Sequence, residues 1–321
     1  MRWLTALRFV AVFTIALASL GSASAQDTLK LAVGARGNWD TVVPEIGQRA
    51  GIFKKHGLTL DLLYTQGGGE TLQAVISGSV DIGIAAGTPA VMSAYVKGAP
   101  VRILLAGVTG SSDLYWYVPA GSSIQSFKDA DGKTASYSTV GASTHTTLLK
   151  LIKHYDSKVR PVGGGASPVT YTQTMSGQID IGWASPPFGL EPLAQGKIRI
   201  IARGSDVPST RDQTVRVHIV NANTLANRAD VVKRFVDAYK ETWEWLYGSP
   251  DALKHFSEIS GVSQELSRQI RDEFLPKAAM SPNVVSGLDT LMQEAVTFKI
   301  LQQPLTDEQL NGLVQGPQWK K

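Results

Sequence analysis

The sequence predicts an α/β protein of two similar lobes, each built on a mostly parallel sheet, joined by a double-crossover hinge and followed by extra C-terminal helices. Three observations carry this. The stretch "SGSVDIGIAAGTP" (77–89) largely returns as "SGQIDIGWASPPF" (176–188), 99 positions later. Short apolar runs alternate with amphipathic helical stretches, the pattern of parallel βαβ units. After residue 215 that alternation gives way to helical periodicity.

The elements follow in order. In the first half, "TLKLAVG" (28–34), "LTLDLLY" (58–64), "VDIGIA" (80–85) and "VRILLAG" (101–107) read as strands. In the second, "KTASYS" (133–138), "KVRPVGG" (158–164), "IDIGWA" (179–184) and "IRIIARG" (198–204) repeat the plan, with matching strands starting 105, 100, 99 and 97 residues apart. The turns match too: "QGGGE" (66–70) with "VGGGA" (162–166), and "AAGTP" (85–89) with "ASPPF" (184–188). A strand, "VRVHIV" (215–220), then precedes the stretch 229–249, whose Val232, Phe235, Val236, Tyr239, Trp243 and Leu246 are spaced for one helix face. The connections between halves fall near 108–114 and 205–214. A tail packing back on the first lobe makes that lobe discontinuous, 26–110 and 215–321, with the second lobe, 111–214, inserted.

Arg2 and Arg8 flank the start of an apolar run, Phe9 to Leu20, and "ASA" (23–25) offers a small-residue cleavage site. That order of parts predicts a cleaved signal peptide over 1–25 and a periplasmic protein. The run is shorter than the ~20 residues a membrane span needs. Removing the two arginines takes the formal charge from +4 to +2. The chain has no cysteine, which excludes disulfides, thiolate chemistry and a lipid-modified cysteine. Its pI near 9.1 comes from scattered basic residues rather than a basic block, so nucleic acid is not an expected partner.

In open parallel α/β sheets the ligand lies beyond the C-terminal strand ends, where helix N-termini offer unpaired N–H groups and favour negative charge. Two such rims facing each other enclose a cleft suited to a small ligand with an anionic head. Gly87 and Thr88 stand at one predicted helix start. Thr139, Ser143 and Thr144 surround Gly141 in "STVGASTH" (138–145), although Ser143 or Thr144 could instead merely cap the helix over 145–155. Ser185 takes the second-lobe place of Ala86. Trp183 replaces Ile84 of the first repeat at a strand end, and Trp39 follows the first strand; both are candidates to cover a ligand, whereas Trp243 and Trp245 read as core. Arg36 is a candidate counter-charge or a solvated loop residue. Asp81 and Asp180, though repeated, read as partners of local backbone groups.

Catalytic signatures are missing. The five histidines form no HExxH pair, no G-x-S-x-G elbow occurs, and neither "GLEPLAQGKI" (189–198) nor "QGGGETL" fits a phosphate or dinucleotide loop. His145, beside the hydroxyl cluster, has no nucleophile-and-orienter set near it in sequence. No catalytic residue, metal ligand or cofactor is assigned.

"AGIFKKHGLTLDLL" (50–63), "GGGETLQAVISGSVDIGIAAGTP" (67–89) and "SSIQSFKDADGKTASYSTVGASTH" (122–145) resemble nitrate/sulfonate/taurine-type substrate-binding proteins of ABC importers, which share a domain with the thiamine-pyrimidine synthases. The resemblance covers roughly residues 28–250. It implies a type II periplasmic binding fold, a monomer that closes on one small anion, and a membrane permease as partner. By position it places ligand contacts on the loop Arg36 to Trp39, on Gly87 and Thr88, on Thr139 to Thr144, and on Trp183 and Ser185. "DADGK" departs from the family's usual Asp-Leu-x-Gly-Lys run, and the synthases' cysteine-rich motif is absent, which weighs against that enzyme. A periplasmic sensor, or an enzyme on the same fold, are the rival functions.

Overall fold

A computed structural model describes residues 26–321; the expected leader, 1–25, lies outside the described residues. The first sheet takes β1 (Asp27–Gly34), β2 (Leu58–Thr65), β3 (Ile82–Gly87) and β4 (Val101–Thr109), with helices α1 (Val43–Arg49), α2 (Ile52–Lys55), α3 (Gly68–Ile76) and α4 (Thr88–Val96) between them. The chain then crosses to β5 (Tyr115–Pro119), β6 (Thr134–Tyr137), α5 (Ser143–His154), β7 (Arg160–Gly163), α6 (Ser167–Met175), β8 (Gly182–Ala184), α7 (Leu190–Ala194) and β9 (Ile198–Arg203). It returns through β10 (Thr214–Asn221) and ends with α8 (Ala222–Asn227), α9 (Ala229–Gly248), α10 (Pro250–Ser260), α11 (Gln264–Gln269), β11 (Val284–Val285), α12 (Leu288–Thr297), α13 (Asp307–Leu313) and β12 (Gln318–Trp319).

The first sheet has the order β2-β1-β3-β10-β4, with β10 antiparallel to both neighbours. In the second lobe β6 pairs with β7 and meets β8 through the Ala135–Ile181 bridge, while β5 lies antiparallel between β8 and β9. The resulting order, β7-β6-β8-β5-β9, repeats the first. Each sheet is thus parallel apart from one strand contributed next to a crossing. The sequence reading gave β10 but not β5, whose "YWYVP" directly follows the first crossing.

The repeated Asp-Ile-Gly has a structural purpose in both lobes. Asp81 accepts the Lys30 N–H at 2.9 Å, and Asp180 accepts the Thr134 N–H at 2.9 Å, so each aspartate ties its strand to the neighbouring one. Ile82 and Ile181 are fully buried. The glycines let a helix lie close on the strand. A Cβ on Gly83 would come within 2.8 Å of Val75 and 2.9 Å of Thr71 from α3 and of Ile219 from β10. On Gly182 it would come within 2.6 Å of Thr174 from α6.

The tail completes the first lobe on both faces of its sheet. Phe235, Tyr239 and Trp243 of α9 join Leu29, Leu31 and Phe53 on one side, while Leu288, Leu291 and Leu310 join Val91, Ile103 and Ile219 on the other. Burial of the i, i+4 series Val231, Phe235, Tyr239 and Trp243 explains why this stretch is helical. A buried ion pair of 2.7 Å, Lys150 to Glu294, also links α5 of the second lobe to α12 of the tail.

Gly83→Ala and Gly182→Ala are expected to destabilise the protein by about 1–3 kcal/mol each through overpacking. Gly121→Ala, where nothing lies within 4 Å, is expected to stay within about 0.5 kcal/mol. Urea unfolding of the three variants checks this.

Candidate functional site

Four helices start where the strands of the two sheets end: α3 at Gly68, α4 at Thr88, α5 at Ser143 and α6 at Ser167. Their N-cap residues are Gly67, Gly87, Ala142 and Ala166, and none supplies a side-chain cap. Side-chain caps do occur in the tail, at Asn221, Ser249, Ser263 and Thr306. The rim helices therefore present first-turn N–H groups without a capping side chain of their own. Two of these ends are met from the opposite lobe. The Gly69 N–H donates to Thr139 Oγ1 at 3.0 Å, and the Ala166 N–H donates to Gln66 Oε1 at 3.4 Å.

Between the rims lies a cavity of about 40 Å³. Gly34, Ala35, Asn38, Asp40, Gly67, Gly68 and Ala85 wall it from the first lobe; Ser138, Ala142, Ser143, Thr144, Trp183 and Ser185 wall it from the second. Ala35 and Ala85 both have a φ of 64°, a left-handed conformation costly for alanine, and both bend the chain around this space. The lobes touch around it, since a Cβ on Gly87 would fall 2.1 Å from the Gly141 carbonyl and one on Gly69 2.2 Å from that of Val140. The structure is a closed arrangement with room for a few waters.

Arg216 of β10 forms the floor and is only 3% exposed. Its guanidinium donates to Ser143 Oγ at 2.8 Å, Asp40 Oδ2 at 3.0 Å and Asp113 Oδ1 at 3.1 Å. Ser185 Oγ in turn donates to Asp113 at 2.9 Å. One guanidinium thus joins the loop after β1, the first crossing and the start of α5. Two buried carboxylates share one cation, and burial pushes Asp40 up to about 6 despite the pull of Arg216. Asp40 Oδ1 and Asn38 Oδ1 are buried acceptors without a partner.

Several sequence assignments are corrected here. Of its two readings Arg36 takes that of a solvated loop residue: its side chain is 57% exposed, held to Glu45 at 3.0 Å and set over the Tyr64 ring. Trp39 is fully buried core, with its ring 4.7 Å from Phe256 and its indole N–H donated to Tyr247 at 3.0 Å. Thr88 is buried and donates to the Thr214 carbonyl at 2.6 Å, outside the cavity wall. Gly87, Thr139 and Gly141 (φ 83°) serve contact between the lobes. Ser143, Thr144, Trp183 and Ser185 do line the cavity. Neither Ser143 nor Thr144 is the N-cap: Ser143 receives Arg216, and Thr144 Oγ1 accepts the Ser138 N–H at 3.0 Å. Trp183 is fixed by its indole N–H on the Gly165 carbonyl at 3.1 Å. His145 accepts the Gly141 N–H at 3.3 Å, and burial lowers its proton affinity.

Sequence reasoning missed Arg216, Asp40 and Asp113, and included Asn38 only within the loop Arg36 to Trp39. In "TVRVHIVN" the apolar residues alternate with Arg216 and His218, a pattern that reads as one wet face. Both are buried instead, and His218 is held by the Ala85 N–H and the Tyr239 hydroxyl.

Among the described residues, no helix is long and apolar enough to cross a membrane, and no three His, Asp or Glu side chains gather as a metal site. The family model described as NMT1/THI5 like matches residues 46–253. No characterised protein matches by sequence. Among solved structures, the alkanesulfonate-binding protein SsuA of Xanthomonas axonopodis pv. citri, bound to MOPS, is similar with a TM-score of 0.72 at 15% identity, covering 92% of this chain and all (100%) of that one. The periplasmic aliphatic sulphonate binding protein SsuA of Escherichia coli gives 0.65 at 15% identity, covering 91% and 93%. The desulfurization enzyme DSZB gives 0.60 at 16% identity, covering 91% and 97%. At such identities the likeness is one of fold, and that fold is the periplasmic binding protein fold.

Because the folded state raises Asp40 from 3.8 to about 6, its proton stabilises the fold fully below about pH 4, and this contribution is lost as pH rises through 6. In urea unfolding, the stability of the parent protein minus that of Asp40→Asn is expected to fall between pH 4.5 and 7. A constant difference would contradict the assignment.

Proposed function

The chain belongs to the NMT1/THI5-like family, and we propose that it is a periplasmic solute-binding protein that closes its two lobes over a small organic anion and hands it to a membrane importer. The observation that carries this reading is the convergence of rim helix N-termini lacking side-chain caps, with a buried arginine, on one cleft between lobes joined by two crossings. A sulfonate or carboxylate head fits the first-turn N–H groups of α3 and α5, with Arg216 beneath and the Trp183 face beside the body. Entry of an organic molecule into a space of about 40 Å³ requires the lobes to part, and closure of two lobes about a hinge is the motion such folds use.

The crowded carboxylates add a condition. An anion beside the Asp40–Arg216–Asp113 group favours the protonated form of Asp40, so binding takes up a proton near neutral pH. Binding without turnover, by a monomer, completes the proposal. The solved relatives of the same fold include sulfonate binders and a desulfurization enzyme, which makes the sulfonate class the first to test and turnover the outcome to check.

Calorimetry against a panel of sulfonates, MOPS among them, and small carboxylates is expected to find at least one binder whose affinity rises as pH falls from 7.5 to 6. Arg216→Gln and Trp183→Ala are each expected to weaken it roughly ten- to a hundredfold. Recovery of the ligand unchanged after prolonged incubation supports binding alone. Conversion of the ligand, or affinity indifferent to Arg216, contradicts the proposal.

A further inference from the structure

A second and larger space lies on the other side of β8. Trp183 and Ser185 face the cleft, whereas Ala184 between them walls a chamber of about 530 Å³. Its remaining walls come from β5, the start of α6, the turn into α7 and the α10–α11 turn, with Tyr117, Tyr171, Phe188, Val262 and Leu266 among its apolar lining. This volume matches those that hold small organic ligands.

The chamber also has one polar end. Ser167, 3% exposed, opens α6 and carries a buried Oγ with no hydrogen-bond partner. The nine-residue α6 has Ala166 as its N-cap with no side-chain bond, so its first-turn N–H groups sit beside that hydroxyl. The Tyr117 hydroxyl, 1% exposed, lies beside Thr174, and burial raises its pKa, so it stays protonated. Among the described residues no lysine, arginine or histidine lines the chamber, and the one carboxylate at its wall, Glu191, disfavours a second negative charge.

We propose that this chamber is a ligand site separate from the cleft, for an uncharged aromatic molecule bearing a carbonyl-type acceptor. The rings of Tyr117, Tyr171 and Phe188 take the aromatic body, and Ser167 Oγ with the α6 N-terminus takes the acceptor. Only a ligand carrying that acceptor pairs the buried hydroxyl, which sets the expected selectivity at about tenfold or more.

The test uses acetophenone, ethylbenzene of similar shape without the acceptor, and benzoate as the charged counterpart, each titrated by NMR against the full chain. Acetophenone is expected to bind about tenfold or more tighter than ethylbenzene and tighter than benzoate, shifting Tyr171 and Leu266 signals while the Trp183 indole signal stays in place. Ser167→Ala is expected to bring acetophenone down to the ethylbenzene level and leave ethylbenzene unchanged. Leu266→Trp, which fills the chamber, is expected to abolish both; the Ser167 comparison stands alone should that variant not fold. Equal affinity for ethylbenzene, tighter binding of benzoate, shifts centred on Trp183, or indifference to Ser167→Ala would each overturn the proposal.

Discussion

A guanidinium cannot be buried without partners, and the arrangement around Arg216 follows from that constraint. Born costs for an unpaired ion in a protein interior run to several kcal/mol, so removing one partner of a buried pair typically costs about 3–5 kcal/mol. Here the partners arrive from three directions: Asp40 from the loop after β1, Asp113 from the first crossing, and Ser143 from the head of α5. Satisfying one side chain of β10 fixes where the second lobe sits relative to the first. Among the described residues it also places the only cation at the cavity wall, on a cleft rimmed by helix ends that have no side-chain caps.

The duplicated architecture supplies the rest. Each sheet has the same strand order, each takes its one antiparallel strand next to a crossing, and each sends helices away from the same edge. When two such edges meet, glycines at 69 and 87 let the backbones touch, and the space left is small. Acceptors at Asn38 and Asp40 are buried there without a partner, at a cost to the closed protein. The closed cleft is therefore polar and incompletely paired.

Much of the fold was legible because it is written locally and written twice. Strand, glycine turn and helix recur at nearly constant spacing, and the Asp-Ile-Gly repeat marks the same strand-to-strand tie and close helix approach in both lobes. The site was legible only in part. Ser143, Thr144, Trp183 and Ser185 lie on strand-to-helix turns whose position follows from topology. Trp39 lies on such a turn as well, yet Tyr247 and Phe256, more than 200 positions later, close over it. Arg36 was drawn off by Glu45 and Tyr64, and Arg216 hides in an alternating strand whose partners are distant in sequence. Exposure is a tertiary property: the tail decides it for Trp39, the crossings for Thr88 and Arg216, and Glu45 with Tyr64 for Arg36.

The central claim is that the Arg216 group holds the lobes closed. Ser143→Ala removes its direct bond to α5 and leaves both carboxylate pairs intact. Small-angle scattering of the ligand-free parent and of Ser143→Ala measures the consequence directly. The account predicts a larger radius of gyration for the variant, returning to the parent value when a bound sulfonate or carboxylate recloses the cleft. Identical dimensions for the two proteins without ligand would contradict it.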